Sequence, residues 1–346
     1  MGIRKVTVSR NDDVYECFPD LVRTSDGKLL CVYRESDSHG AHSFSHIVLR
    51  ESGDEGGTWA PRKVLIESYR DALKDELLKW NNPRITQLSN GHLLILCDGY
   101  YEPPGERECE KSHVYFWWSS DRGESWSGPH DTPIHGICPN KLFETQSGTW
   151  LVGSCLRSVK YGTWKVTLYR SEDRGGTWEG PITICEDEAL NPDEPSIVQL
   201  PDRELVCYMR ESSGKGLRGL KSFSCDEGET WEGPYQTPMD GLGGRPSAGL
   251  LSSGRVLVFY RYHQGFGVGA KNFFAYLEMV ESAKERDIEK QKGITLPIDH
   301  DRSEHADLGY NGWTQLPNGT IFAVTYIVDD APRAQIRGYY LHEDDF

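Results

Sequence analysis

One phrase, an apolar strand, a tight turn and a second apolar strand, is written six times along the 346 residues of this chain. The copies are FPDLVRTSDGKLLCVY from Phe18, NPRITQLSNGHLLILC from Asn82, CPNKLFETQSGTWLVGS from Cys138, EPSIVQLPDRELVCYM from Glu194, RPSAGLLSSGRVLVFY from Arg245 and YNGWTQLPNGTIFAVTY from Tyr310. Five have proline in second place (Pro19, Pro83, Pro139, Pro195, Pro246), and the sixth has Asn311. Proline suits the first residue of a strand, where the ladder needs no donor. Five also have glycine in the turn (Gly27, Gly91, Gly148, Gly254, Gly319), with Arg203 in the remaining copy. The shared positions lie 51 to 65 residues apart, which leaves room for two further strands in each unit. The chain therefore reads as all-β, built from six four-stranded antiparallel units.

A second signal, S-x-D-x-G-x-[TS]-W, occurs late in four units: Ser52–Trp59, Ser119–Trp126, Ser171–Trp178 and Ser224–Trp231. The aspartate can bond backbone N–H groups inside the turn, and the tryptophan can pack between sheets. This is the form of the Asp-box, or bacterial neuraminidase repeat, and the whole chain resembles the sialidase superfamily. The resemblance implies a single six-bladed β-propeller over residues 1–346, with four-stranded antiparallel blades. Lys5–Arg10 alternates like an outer strand and Gln335–His342 reads as a strand of unit six, so the N-terminal strand is expected to complete the last blade. The charged stretch at 281–301, which contains ESAKERDIEKQK, is read as a solvated excursion between units five and six.

Composition narrows the partner. With 38 basic and 53 acidic residues the formal charge is −15, which repels nucleic acid and anionic membrane over most of the surface. Ten Trp and seventeen Tyr leave aromatic rings over for stacking on sugars, so carbohydrate is the expected partner. Trp80, Tyr100, Tyr101, Trp164, Phe266 and Trp313 are candidates for that stacking. The first residues lack the apolar core of a secretion signal and no later run is long enough to span a bilayer, so a cytoplasmic location is expected unless a leader has been removed. Nine cysteines, several inside apolar strand patterns (Cys31, Cys97, Cys155, Cys207) and none in a CxxC pair, read as buried thiols.

In a propeller the inner strand of each blade lines the central channel, so residues beside the shared proline and after the second strand gather at one mouth. By this alignment Asp193 and Glu194, at the start of one strand, meet Arg210 at the end of the next. Sialidases pair a tyrosine nucleophile with a glutamate that activates it, use an aspartate as acid/base, and hold a substrate carboxylate with three arginines. The resemblance assigns Tyr310 as nucleophile, Glu194 as its activating base and Asp37, in YRESDSHG, as acid/base. Arg210 matches one clamp arginine. At the first-blade clamp position the aligned residue is Cys17, with Glu16 beside it, and an acid there would repel a carboxylate. The last clamp arginine has no counterpart, since Lys271 is nearby but out of register. Arg34, Arg84, Asp98, Asp193, Arg245 and Arg261 join Arg210 as candidate substrate-binding residues, with Lys141 and Arg157 as further cations. No cofactor motif or metal-ligand set emerges; His42 and His46 are four apart, a spacing that aligns side chains on a helix rather than a strand.

The leading expectation is a sialidase-like, exo-acting glycoside hydrolase on a non-sialic or acidic sugar, using Tyr/Glu and Asp chemistry. An exo-α-sialidase, a glycan-binding propeller without turnover and a carbohydrate lyase stay open beside it.

Overall fold

The computed structural model describes residues 2–73, 76–102, 111–263 and 271–346. The chain is a six-bladed β-propeller of four-stranded antiparallel blades, with one inner strand broken in two. From inner to outer strand, the first blade is Tyr15–Arg23, Leu29–Ser36, Ser45–Ser52 and Lys63–Ile66. The second replaces a continuous inner strand by Leu77–Trp80 and Arg84–Gln87, both paired with Leu93–Glu102, and continues through His113–Ser119 to Ser127–His135. The fourth is Pro192–Gln199, Leu205–Glu211, Leu220–Ser224 and Glu232–Gln236; the fifth is Gly244–Leu250, Val256–His263, Lys271–Glu278 and Gly293–His300. The sixth runs Leu308–Gln315, Ile321–Ile327, Gln335–Leu341, and its outer strand is Arg4–Ser9, in register Lys5 to Tyr339 and Thr7 to Arg337. The N-terminus thus closes the last blade, as expected.

Two compact units make up the chain. One comprises Met1–Leu142 with Asn311–Leu341, the other Phe143–Tyr310 with His342–Phe346. In the first, Leu30, Val32, Ile47 and Leu49 of blade one pack on Ile85, Leu93, Ile95 and Trp117 of blade two. In the second, Val198, Val206, Tyr208 and Phe223 of blade four pack on Val256, Val258, Tyr260 and Tyr276 of blade five. Full burial of each such side chain is worth roughly 1.5–3 kcal/mol, so these apolar faces dominate the cohesion of neighbouring blades. Trp80, expected as a sugar platform, belongs to the first core and is only 1% exposed. Phe266 lies outside the described residues.

The four S-x-D-x-G-x-[TS]-W turns share the serine and aspartate hydrogen bonds, and Trp59, Trp126 and Trp231 add a bond from Nε1 to the turn glycine. In Ser224–Trp231, Ser224 Oγ donates to Asp226 Oδ1, the Gly228 N–H donates to Ser224 Oγ, Thr230 donates its N–H and hydroxyl to the two Asp226 oxygens, and Trp231 Nε1 donates to the Gly228 carbonyl. Gly228 has φ +91°, and a Cβ there would meet Leu168 Cδ2 at 2.6 Å. Gly254, in a hairpin turn at φ +83°, has open space instead. Gly254→Ala is expected to cost about 1 kcal/mol of left-handed strain, and Gly228→Ala about 1–3 kcal/mol more from overpacking, measured by denaturant unfolding.

Two expectations are revised. The shared proline does not start its strand. In blades one, four and five it lies inside the strand at a bulge, where the register slips between Cys17 and Asp20, Asp193 and Ser196, and Gly244 and Ser247. A bulge leaves one residue outside the ladder, which is where a residue without an N–H fits. The preceding residues Phe18, Glu194 and Arg245 take φ of 56°, 51° and 45°. The stretch 281–301 is likewise no mere excursion, because Gly293–His300 is the outer strand of blade five. Its short helix Val280–Ala283 is docked by Lys221, whose Nζ donates to the carbonyls of Ser282 and Ala283 at 3.2 and 2.9 Å.

The other face of blade one is polar yet buried. Glu16 and Glu35 are direct cross-strand neighbours, 1% and 2% exposed. Ser9 Oγ donates to Glu16 Oε1 at 2.6 Å, and Arg62 lies 3.3 Å from Glu35. Burial, reinforced by the Glu35 charge, pushes the Glu16 carboxyl up to about 7. Unfolded chain releases this proton above about pH 4.5, whereas folded chain keeps it until about 7, so the folded state binds the extra proton and stability falls as pH rises across that window. The loss is about 3 kcal/mol at most, and Glu16→Gln is expected to abolish that component in unfolding curves taken between pH 4 and 8.

Candidate active site

Two bulges aim the central side chains of the second compact unit. At the first, Glu194 and Pro195 stand against a single partner residue, and the left-handed Glu194 throws its carboxylate out of the ladder. At the second, Arg245 and Pro246 do the same in blade five. A non-glycine residue held at positive φ costs of order 1–3 kcal/mol, which the surrounding packing must over-determine. Hydrogen bonds do so here. Glu194 Oε2 accepts the Arg245 N–H at 2.7 Å, Oε1 accepts Arg210 Nη1 at 3.1 Å, and the Glu194 N–H donates to Cys155 Sγ at 2.9 Å.

The Tyr310 hydroxyl donates a hydrogen bond to the same Glu194 Oε1. Its ring is flanked by two guanidiniums, Arg261 at 5.0 Å and Arg245 at 5.5 Å from the ring centroid. Arg261 approaches this closely because the residue before the tyrosine is Gly309, at φ +116°, where a Cβ would meet Arg261 Cβ at 2.5 Å. Asp193 faces Arg210 across the hairpin, 3.9 Å away, and accepts from Ser212 Oγ at 2.9 Å. Behind Arg261, Asp307 is held by Lys271 at 2.9 Å and lies 3.8 Å from Arg261 Nη1.

Charge in this cluster is not balanced. Four cations (Arg210, Arg245, Arg261, Lys271) surround three carboxylates (Asp193, Glu194, Asp307). Burial tends to raise the Glu194 carboxyl, but the charges of Arg210, Arg261 and Arg245 and the Tyr310 hydrogen bond outweigh it and keep Glu194 ionised. Asp193 goes the other way: burial raises it, Arg210 opposes, and the adjacent Glu194 charge adds to the rise. Burial together with Arg261, Lys271 and Arg210 also depresses His263. The cluster carries surplus positive charge, and Arg210 keeps 22% of its side chain exposed. It suits an anionic ligand beside an ionised carboxylate that accepts the tyrosine hydrogen bond.

Residues 27–266 match the family model described as "BNR repeat-like domain". The chain belongs to the BNR repeat-like domain family. Among solved structures, this family member is similar to a protein of unknown function from Dyadobacter fermentans (22% identity, TM-score 0.77, covering 99% of each chain). It is also similar to the Hadza microbial sialidase Hz136 (16%, TM-score 0.73, covering 95% of this chain and 66% of that one). A third is the intramolecular trans-sialidase from Ruminococcus gnavus, solved with oseltamivir carboxylate (14%, TM-score 0.70, covering 96% and 95%). At these identities the likeness establishes the fold. No curated protein matches the chain.

The remaining candidates lie in the first compact unit, except Arg157 in the second, and each is already engaged. Arg84 is buried and donates from Nη1 to the carbonyls of Pro19 and Asn311, both at 3.1 Å. Asp98, fully buried, accepts from Asn81 Nδ2 and from the N–H groups of Asn82 and Cys138. Arg34 donates to the His39 carbonyl at 2.6 Å and lies 4.4 Å over the Phe18 ring. Lys141 bridges Asp20 at 3.2 Å, and Arg157 lies over Trp164. Asp37 accepts from the N–H groups of His42 and Ser43 and from Ser43 Oγ. Burial raises its carboxyl, but these bonds prevail and leave it below the ordinary range. Glu16 turns toward Ser9 and Glu35, so the acid that the alignment places beside the clamp belongs to the polar face of blade one. Lys271, set aside in the sequence as out of register, opens the strand after the hairpin, directly across from His263.

Proposed function

We propose that this protein is a sialidase-like glycoside hydrolase that removes a terminal acidic sugar from a glycan, with Tyr310 as nucleophile and Glu194 as its base. The observation that carries this reading is the Tyr310–Glu194 hydrogen bond inside a frame of three arginines. A free phenol, with pKa about 10, is a poor nucleophile near neutral pH. Here the proton passes to Glu194 as the phenol oxygen bonds the anomeric carbon, while Arg245 and Arg261 offset the negative charge that develops on that oxygen. The bond to the leaving group breaks with the electron pair on its oxygen, which takes a proton from the proposed acid/base Asp37, and Asp37 later takes one from the attacking water. Water then attacks the glycosyl–tyrosine, and Tyr310 recovers its proton from Glu194. Two displacements give net retention.

The surplus cations favour a carboxylate-bearing sugar, and a neighbour of the same fold was solved with a ligand named as a carboxylate. The acid/base role of Asp37 is proposed on sequence resemblance. Asp37→Ala tests it: turnover of substrates with a poor leaving group should fall far more than turnover of activated aryl glycosides.

A panel of aryl glycosides of sialic, glucuronic and galacturonic acid, with neutral sugars beside them, tests the whole reading. Release of aryl alcohol from at least one acidic glycoside is expected. No turnover across the panel, with calorimetric binding of a glycan and no product, would replace hydrolysis by simple binding.

A further inference from the structure

The cysteines inside the strands do not all behave alike. Cys97 and Cys207 turn their thiols to their own strands, where each Sγ donates to the carbonyl of the next residue, Asp98 at 3.4 Å and Tyr208 at 3.9 Å. Cys155, in the strand Trp150–Arg157 of blade three, is 1% exposed and reaches into blade four, where its Sγ accepts the Glu194 N–H at 2.9 Å.

The place of Cys155 in the repeat explains that contact. Counted from the turn, one position of the second strand holds Arg34, Asp98, Cys155, Arg210, Arg261 and Tyr326 in the six copies. In blade two, Asp98 accepts the N–H of Cys138, the residue before the next shared proline, at 3.1 Å. Cys155 does the same for Glu194, again the residue before the next shared proline. Arg210 carries only donors, so the corresponding N–H of the following copy, that of Arg245, goes to Glu194 Oε2 instead. Two hydrogen bonds therefore run in series within the second compact unit, from the Arg245 N–H to the Glu194 carboxylate and from the Glu194 N–H to the Cys155 thiol. Cys138, Glu194 and Arg245 are all left-handed, at φ 52°, 51° and 45°.

We infer that Cys155 is a positioning residue that sets where the Glu194 carboxylate stands against Tyr310, a role that rests on the reading of Glu194 as the base. A residue other than glycine keeps a left-handed backbone only while its surroundings hold it there. Without an acceptor the buried Glu194 N–H favours a different backbone conformation, in which the carboxylate turns away from Tyr310 and from the Arg245 N–H. The kind of acceptor matters as well. An aspartate, as at position 98, puts a third acid beside Asp193 and Glu194, whereas a thiol accepts the N–H without adding a charge.

Steady-state kinetics on the aryl glycosides of sialic, glucuronic and galacturonic acid test this role. Cys155→Ala is expected to lower kcat by about tenfold to a hundredfold with KM within about threefold, and Cys155→Ser, which restores an acceptor, to return kcat to within about threefold of wild type. In a Glu194→Gln background Cys155→Ala should have no further effect, because the position of an absent base does not matter. An unchanged kcat in Cys155→Ala, a serine variant as slow as the alanine variant, or the same loss in both backgrounds, which is what a smaller folded fraction gives, would overturn the assignment. If the wild type cleaves none of these glycosides, the proposed reaction falls, and the position of Glu194 is read by carboxyl-carbon NMR of glutamate-labelled protein, with its resonance identified by loss in Glu194→Gln. That resonance should move in Cys155→Ala and return toward its wild-type position in Cys155→Ser; a resonance unmoved in Cys155→Ala would equally overturn the assignment.

Discussion

Tyr310→Phe is expected to lower kcat on an acidic aryl glycoside by roughly four orders of magnitude while leaving KM within a few-fold. The substitution removes one oxygen. The ring stays between Arg245 and Arg261, and Glu194 keeps its bonds to Arg210 and the Arg245 N–H, so ground-state binding is little disturbed. What is lost is the bond-forming atom. Glu194→Gln keeps the shape but replaces a base by an amide, and a fall of roughly two to four orders in kcat is expected. Because the two residues act on one proton, the double variant should be little worse than Tyr310→Phe alone. Equal rates for wild type and Tyr310→Phe would remove the nucleophile from the proposal.

Arg210→Met should be among the most destabilising single substitutions in the chain, by about 3–5 kcal/mol. Glu194 is 3% exposed and Arg210 is its only ion-pair partner within 4 Å among the described residues, with Asp193 on the other side of the same guanidinium. Removal of the cation leaves the buried Glu194 beside the partly buried Asp193, with Arg245 and Arg261 more distant and no ion pair within 4 Å among the described residues. Loss of a positive charge raises both groups in the folded state. The folded chain then takes up protons more readily than the unfolded one, so the deficit is largest at pH 8 and shrinks toward pH 5. Arg210→Lys keeps the charge but loses the fork, and it should recover part of the loss. Unfolding curves for the three proteins at pH 5 and 8 measure this directly.

Much of the fold is legible because one phrase recurs. The hairpin Glu194–Met209 alone reads as two strands and a turn; repeated six times, with four tryptophan-terminated turns, it specifies blade number and strand count. Register within a blade is harder to read. The phrase aligns Pro195 and Pro246 as strand starts, yet both sit at bulges whose geometry depends on pairing with Leu205–Glu211 and Val256–His263. The stretch 281–301 looks like an excursion because its charge masks how Lys221 and Glu278 dock its first turn, at Ser282 and Ala283, to the blade.

The candidate site divides in the same way. Asp193, Glu194 and Arg210 share one hairpin, so strand alternation brings them together. Tyr310 enters through its place in the sixth copy of the phrase. The other cations depend on features that spacing cannot show, namely the left-handed turn of Arg245 and the close approach at Gly309 that lets Arg261 reach the ring. Arg84 and Asp98 stand at the strand entry and strand exit of the second repeat, but their partners are backbone groups and the Asn81 side chain, which no linear pattern reveals.

The most direct measurement is peptide mass spectrometry of the protein after reaction with a fluorosugar fluoride of whichever acidic glycoside it turns over. Fluorine beside the anomeric carbon slows both displacements, and a good leaving group lets the covalent intermediate accumulate. A glycosyl adduct on the peptide containing Tyr310, absent in Tyr310→Phe, is the expected result. An adduct on a different residue, or turnover of the parent glycoside with inverted configuration, would contradict it.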